Sequence, residues 1–212
     1  MCGLLHFIHR EGKIIVWKEK VLIVLLALTV VLTVGARYTP YFPGDMAVAR
    51  FVQGITPVST GWAQRISSTA VFPGSLVLLA IAVLVSWRVF GWRAGLLALA
   101  SFAGMWILGK VLGPIIARPR PSPDLVHVVR KLSGYSFPSI FALVYASTVG
   151  FLGILFAGRS KGLLQTIAPI LCCFLLLLGC AARLSLGAHW PSDVILSYLI
   201  GLLWAYLLVR FV

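Results

Sequence analysis

The chain has 212 residues, 60% of them hydrophobic and 11% charged, with a mean hydropathy of +1.02. A soluble domain carries about 25% charged residues, so lipid is the solvent for most of this surface, and the length suits one domain. The net charge of +13 does not point to nucleic acid, because no polar domain exists to present a basic face.

Runs of roughly 20 apolar residues mark membrane spans. They predict six transmembrane helices, near 21–36, 69–87, 93–112, 139–157, 163–182 and 192–211. The fold class expected is all-α, a polytopic membrane protein with a single domain over 1–212. Residues 1–20 form a basic tail with Arg10, Lys13, Lys18 and Lys20; its His6 and His9 have no partner identifiable in sequence. The first span is short, and Val34-Gly35-Ala36 resembles a small-residue cleavage site. It is read here as a retained anchor span.

Loop 37–68 follows, and within it residues 44–55 suit a short interfacial helix. Arg37, Arg50 and Arg65 in this loop fit anionic lipid headgroups. Spans two and three are joined through Arg88 and Arg93, and spans four and five through Arg159 and Lys161; Arg210 ends the last span. Six spans place all of these with the N-terminal tail on one side, and short loops rich in Lys and Arg mark the cytoplasm. The termini are therefore expected in the cytoplasm and loops 37–68, 113–138 and 183–191 outside, in a membrane of the bacterial cytoplasmic type. The outer loops nevertheless hold Arg118, Arg120, Arg130, Lys131 and Arg183. Clustered arginines on the wrong side of a topology rule indicate an anion site.

Three outer segments carry the candidate chemistry. Ala117-Arg118-Pro119-Arg120-Pro121 is held extended by its prolines, and arginine forks suit phosphate oxygens; alone, it also reads as a basic interfacial loop. Gly134-Tyr135-Ser136-Phe137-Pro138-Ser139-Ile140-Phe141-Ala142 leads into span four. Arg183-Leu184-Ser185-Leu186-Gly187-Ala188-His189-Trp190-Pro191-Ser192-Asp193 leads into span six. Pro191 favours a first helical turn, which sets His189 at the helix start with Asp193 four residues on and on the same face. A carboxylate beside an imidazole fixes its tautomer, and such a histidine can attack phosphorus. The bland alternative is a loop histidine with an ordinary helix-start aspartate. His127, in the outer loop, reads as a headgroup-facing histidine or as a substitute acid. Cys172, Cys173 and Cys180 lie in one apolar stretch; with Cys2 they show no metal-ligand spacing, and neither a structural metal nor a disulfide framework is expected.

In order and layout, over about residues 36–205, these segments resemble the type 2 phosphatidic-acid phosphatase (PAP2) family of membrane lipid phosphatases. The third family signature, Ser-Arg-x5-His-x3-Asp, matches at Arg183, His189 and Asp193 and departs at Ala182. The resemblance implies a PAP2-like helical bundle, a phosphohistidine formed on His189 and an orienting role for Asp193. The first signature, Lys-x6-Arg-Pro, is shifted. Lys110 lies eight residues before Arg118 and ten before Arg120, and the family spacing counted back from Arg120 falls on Gly113. Either arginine is a phosphate ligand on this reading, with Arg120 favoured by alignment. The second signature, Pro-Ser-Gly-His, holds at Pro138 and Ser139, a further phosphate contact, and then fails at Ile140 and Phe141. In the family that histidine is the general acid, which phenylalanine cannot replace, and the glycine lets backbone amides approach phosphate.

The activity implied is hydrolysis of a lipid phosphate or pyrophosphate at the outer face. Without the usual acid, prenyl pyrophosphate suits the site better than phosphatidic acid, since a phosphate leaves without needing a proton. The alternative is an inactive protein that binds a lipid phosphate for transport or sensing. No cofactor and no nucleic-acid partner is expected; the partners are the lipid substrate and membrane lipids.

Overall fold

The computed structural model describes the backbone of residues 2–212 and the side chains of residues 19–212. The sequence readings of Cys2, His6, His9, Arg10, Lys13 and Lys18 lie outside the described side chains. Among the described residues the regular structure is helical throughout. In chain order come α1 (Cys2–Tyr38), α2 (Asp45–Ile55), α3 (Gly61–Ser68), α4 (Gly74–Phe90), α5 (Trp92–Ile116), α6 (Ile140–Tyr145), α7 (Phe151–Arg159), α8 (Leu163–Ser185) and α9 (Pro191–Val209). A π-helical turn, Ala146–Gly150, joins α6 to α7, so residues 140–159 act as one apolar span.

Five helical segments are long and apolar enough to cross a membrane: Glu19–Tyr38, Trp92–Ile116, Ile140–Arg159, Leu163–Ser185 and Pro191–Val209. Gly74–Phe90, 17 residues long, is a shorter apolar helix beside these five. The fold is that of an all-α membrane protein. The second expected span begins later than its apolar run because Ala70–Pro73 form a turn ahead of α4. Helix α2 coincides with the short helix expected in loop 37–68, whereas α3 was not foreseen.

Burial grades from centre to rim. The span Ile140–Arg159 is the most enclosed, and the segments Glu19–Tyr38 of α1 and Leu163–Ser185 face outward along most of their length. Small residues let the centre close. A Cβ on Gly150 would sit 2.5 Å from Leu202 of α9, and one on Gly201 would sit 2.5 Å from Ala146. Close approach at such residues is how helices pack in lipid, where there is no hydrophobic drive between them. The start of α6 thereby lies beside the second turn of α9, with the Ser139 N–H donating to Ser197 Oγ at 2.9 Å.

The α4–α5 turn at Gly91, the end of α7 and the end of α9 share one end of the bundle. Phe90 meets Phe156 edge-on at 5.0 Å, and Arg159 donates to the Val209 carbonyl at 3.4 Å. The segments 39–73, 117–139 and 186–190 gather at the other end, where Ala49, Val126 and Trp190 share a small core.

Candidate functional site

Helix α5 is capped by Ala117, whose left-handed backbone (φ 53°) turns the chain back into the bundle. The next residue, Arg118, is completely buried between two carboxylates. Its Nη2 lies 3.2 Å from Asp45 Oδ2, and its Nη1 donates to Asp193 Oδ1 and, at 2.8 Å, to Ser192 Oγ. Its Nε donates to the Thr39 carbonyl at 3.2 Å, and the guanidinium lies over the Phe42 ring at 4.7 Å. Asp45 is also held, by the Ser192 N–H at 2.8 Å, the Ser192 hydroxyl at 2.6 Å and the Phe42 N–H at 2.8 Å. Buried ion pairs persist only when hydrogen bonds satisfy both partners, and this cluster meets that condition. It ties the α1–α2 connection, the end of α5 and the start of α9 together.

His189 lies in the next layer. The chain leaves α8 through Gly187 (φ 61°), where a Cβ would come within 2.2 Å of the His127 carbonyl, so only glycine fits. Trp190 is the N-cap of α9, with extended backbone, and Pro191 is the first helical residue. His189 is thus one residue outside the helix. Its Nδ1 is 2.6 Å from the Ser136 carbonyl, and its Nε2 is 3.5 Å from Arg120 Nη1. The side-by-side placement of His189 and Asp193 expected from their spacing is not what forms. Helical periodicity begins only at Pro191, and Asp193, as the third helical residue, turns back to accept the Trp190 N–H at 3.0 Å. The same oxygen accepts the Ser136 hydroxyl.

Two further arginines approach the histidine. Arg120 donates from Nη1 to the Ala188 carbonyl at 2.7 Å and from Nε to the Ser133 carbonyl at 3.3 Å. Arg183 donates from Nη1 to Ser67 Oγ at 3.0 Å and lies 5.5 Å over the Phe141 ring; its Nε is buried with no partner among the described residues. Burial, then the charges of Arg183 and Arg120, hold the His189 pKa well below its usual 6.5, while the Ser136 carbonyl pulls the other way. At neutral pH the imidazole is neutral, its Nδ1–H engaged and its Nε2 lone pair facing the arginines. Two cavities flank this point and share Arg130, Leu132 and Ala188. One, of about 470 Å³, extends past Arg183, Ser67 and Gln64; the other, of about 380 Å³, extends past Arg120, Ser122 and Lys131.

Of the residues singled out in sequence, Arg120, Arg183 and His189 form this layer, and Arg118 and Asp193 form the layer beneath. Arg118 therefore faces carboxylates and not a cavity. Lys110 is exposed and lies 5.2 Å over the Trp106 ring, outside the group, and Gly113 faces Tyr135. Ser139 is the buried N-cap of α6, its hydroxyl accepting the Ala142 N–H at 3.4 Å. Ile140 fills a notch at Gly109, Phe141 fills one at Gly179, and Ala182 is buried. His127 is exposed, with its backbone clasped by Gln53. Among the described residues no three His, Cys, Asp or Glu side chains are grouped to hold a metal ion.

Sequence reasoning passed over Asp45, Ser67, Ser136 and Ser192. Asp45 had a signal, being one of five acidic residues in the chain and lying in the first turn of a helix. The serines had none, because their partners are distant in sequence.

The family model of the PAP2 superfamily matches residues 93–212. No curated protein matches the chain in sequence. Among solved structures, the fold is similar to a transmembrane PAP2 type phosphatidylglycerolphosphate phosphatase from Bacillus subtilis. The match has a TM-score of 0.73 at 23% identity and covers 90% of this chain and 94% of that one.

Proposed function

The chain belongs to the PAP2 superfamily, and on that premise we propose that it is a membrane phosphatase that cleaves a lipid pyrophosphate through His189. The observation that carries this reading is a neutral, buried imidazole with Nδ1–H on a carbonyl and Nε2 facing two arginines that no carboxylate pairs among the described residues. Nε2 attacks the terminal phosphorus, and Arg120 and Arg183 hold its non-bridging oxygens as charge develops. The bond from phosphorus to the bridging oxygen breaks, and the lipid monophosphate leaves with the electron pair. Water then cleaves the phosphohistidine, giving inorganic phosphate and restoring His189.

Phe141 supports the choice of leaving group. It occupies the acid position of the second signature, 5% exposed, and can supply no proton. An alkoxide needs that proton, whereas a phosphate departs as an anion. General acid catalysis is worth about 10²–10⁴-fold, so diphosphates are favoured over alkyl monoesters by that order. A prenyl pyrophosphate fits this chemistry. The basic turns at Arg88, Arg93, Arg159 and Arg210 support a cytoplasmic position for the opposite end and an outward-facing site.

The test is phosphate release by the purified protein from a prenyl pyrophosphate and from the matching monophosphate, with His189→Ala as control. Turnover of the diphosphate, lost in the variant, is the expected result. Tight retention of the lipid without release, unchanged by His189→Ala except in affinity, would overturn it in favour of a lipid-phosphate-binding protein, a reading that the near-complete burial of His189 (4% exposed) supports.

A further inference from the structure

We propose that Ser136 is the residue through which Asp193 positions His189, so that the carboxylate acts on the imidazole by way of a serine and its peptide and not by direct contact. This rests on the reading of His189 as a nucleophile. Each polar group of Ser136 has one partner in the site. Its N–H donates to the Arg118 carbonyl at 2.8 Å, its hydroxyl donates to Asp193 Oδ2, and its carbonyl meets His189 Nδ1 at 2.6 Å. One residue thereby joins the first Arg-Pro segment, the aspartate of the last segment and the histidine. Ser136 is completely buried, and its neighbour Phe137 is anchored among Ala36, Ile116 and Leu196. The peptide is thus held at both ends.

The chemistry of this relay differs from that of a carboxylate placed against the ring. A carboxylate on Nδ1–H favours imidazolium and raises the pKa. A neutral carbonyl fixes the same tautomer with much less preference for the charged ring. Asp193 is paired with Arg118, and its Oδ2 is held by the Ser136 hydroxyl and the Trp190 N–H. What it supplies to His189 is the orientation of the Ser136 peptide. Ser136→Ala keeps the carbonyl and removes its anchor. Loss of groups that orient a functional imidazole commonly costs about 10–100-fold in activity.

The experiment uses the full chain in detergent with His6, His9 and His127 replaced by glutamine, so that His189 alone reports in ¹⁵N-histidine NMR. In the otherwise native protein, His189 is expected as the neutral Nδ1–H tautomer at pH 7. Its ring proton should lack the far-downfield position of an imidazolium–carboxylate pair. In Ser136→Ala the tautomers should mix, and kcat on a lipid pyrophosphate should fall about 10–100-fold with KM changed less than about 3-fold. Ser136→Thr, which keeps the hydroxyl, should restore both. A far-downfield proton in the otherwise native protein would overturn the relay even if Ser136→Ala does not fold. So would a Ser136→Ala protein with native tautomer and kcat while Asp193→Asn alone disturbs them. The spectra need no substrate. Tautomer mixing in a protein that turns over no lipid phosphate would leave the relay standing and remove the phosphatase reading instead.

Discussion

Phe141→His puts back the residue type that the second signature carries, and the surroundings of Phe141 argue that no acid will result. The ring lies in an apolar cluster with Phe102, Val144, Tyr145 and Val149, stacks on Tyr145 at 4.3 Å and lies beneath the Arg183 guanidinium at 5.5 Å. An imidazole there would be desolvated and beside a cation, and both effects disfavour its charged form. A neutral imidazole is a poor donor to a departing alkoxide. The exchange also loses the aromatic pair, about 0.5–1.5 kcal/mol, and part of the cation–π contact, about 0.5–1 kcal/mol. An imidazole nitrogen without a partner adds about 1–3 kcal/mol. The sum is a destabilisation of roughly 2–5 kcal/mol. Phosphate release from a prenyl pyrophosphate and from its monophosphate, measured beside thermal unfolding in detergent, tests this. The expected outcome is a lower unfolding temperature, with a monoester rate raised less than about 10-fold, against the roughly 10²–10⁴-fold that a working acid supplies. A monoester rate raised 100-fold or more at unchanged stability would refute the reasoning and show that Phe141 merely occupies an acid site left otherwise intact.

Arg118→Met should destabilise the protein by about 3–5 kcal/mol, because Asp45 and Asp193 lose the cation between them; Arg120→Met should unfold like the native protein and lose turnover, and unfolding curves for the pair separate the two roles. The depressed pKa of His189 keeps its Nε2 free below pH 6.5, so the acid limb of kcat/KM should lie well below that pH; in Arg120→Met, which removes one repelling charge, the His189 titration followed by ¹⁵N-histidine NMR should move upward. For stability the sign is fixed the same way: the unfolded chain takes up a proton near pH 6.5 that the folded site refuses, so folding weakens as pH falls through that value, and His189→Gln should flatten this dependence in pH-resolved unfolding. Single cysteines at Ser133 and Lys161, in a chain with its native cysteines replaced, should be labelled from opposite sides of the membrane; labelling from the same side would refute the six-span arrangement.

The spans were legible because lipid imposes a length and a composition that no local detail can mask. The three segments with candidate chemistry were legible as types of residue, and they do meet at one end of the bundle. What the sequence hid was direction. The spacing of His189 and Asp193 suggested a shared helical face, yet the helix starts at Pro191 and leaves His189 outside the periodicity that the argument required. Arg118 and Arg120 are two residues apart in one proline-rich run, and nothing local says that the first turns inward. That depends on Asp45, 73 residues away, and on Asp193, 75 residues away. Helix α3 was invisible because it is eight residues long and lacks an apolar run, yet it supplies Ser67 to Arg183.

The division between the two arginine layers also explains how a chain with so few acids could build the anion site that the proposed function requires. Among the described residues both ion pairs belong to Arg118, so Asp45 and Asp193 are committed to one guanidinium and the inner layer carries about one net negative charge. Arg120 and Arg183 have hydroxyls, carbonyls and an aromatic ring for partners, none of which cancels a full charge. The outer layer therefore holds two cations around a neutral imidazole, and their mutual repulsion and partial burial make that arrangement unfavourable until an anion arrives. On the proposed function, a phosphoryl dianion would balance the pair, accept the Arg183 Nε–H and draw Arg120 from Nε2, freeing the lone pair for attack. Had Asp193 faced the imidazole directly, its charge would have opposed that anion at close range. Turned toward Arg118 and linked to His189 through Ser136, it orients the ring from the inner layer and leaves the outer layer positive.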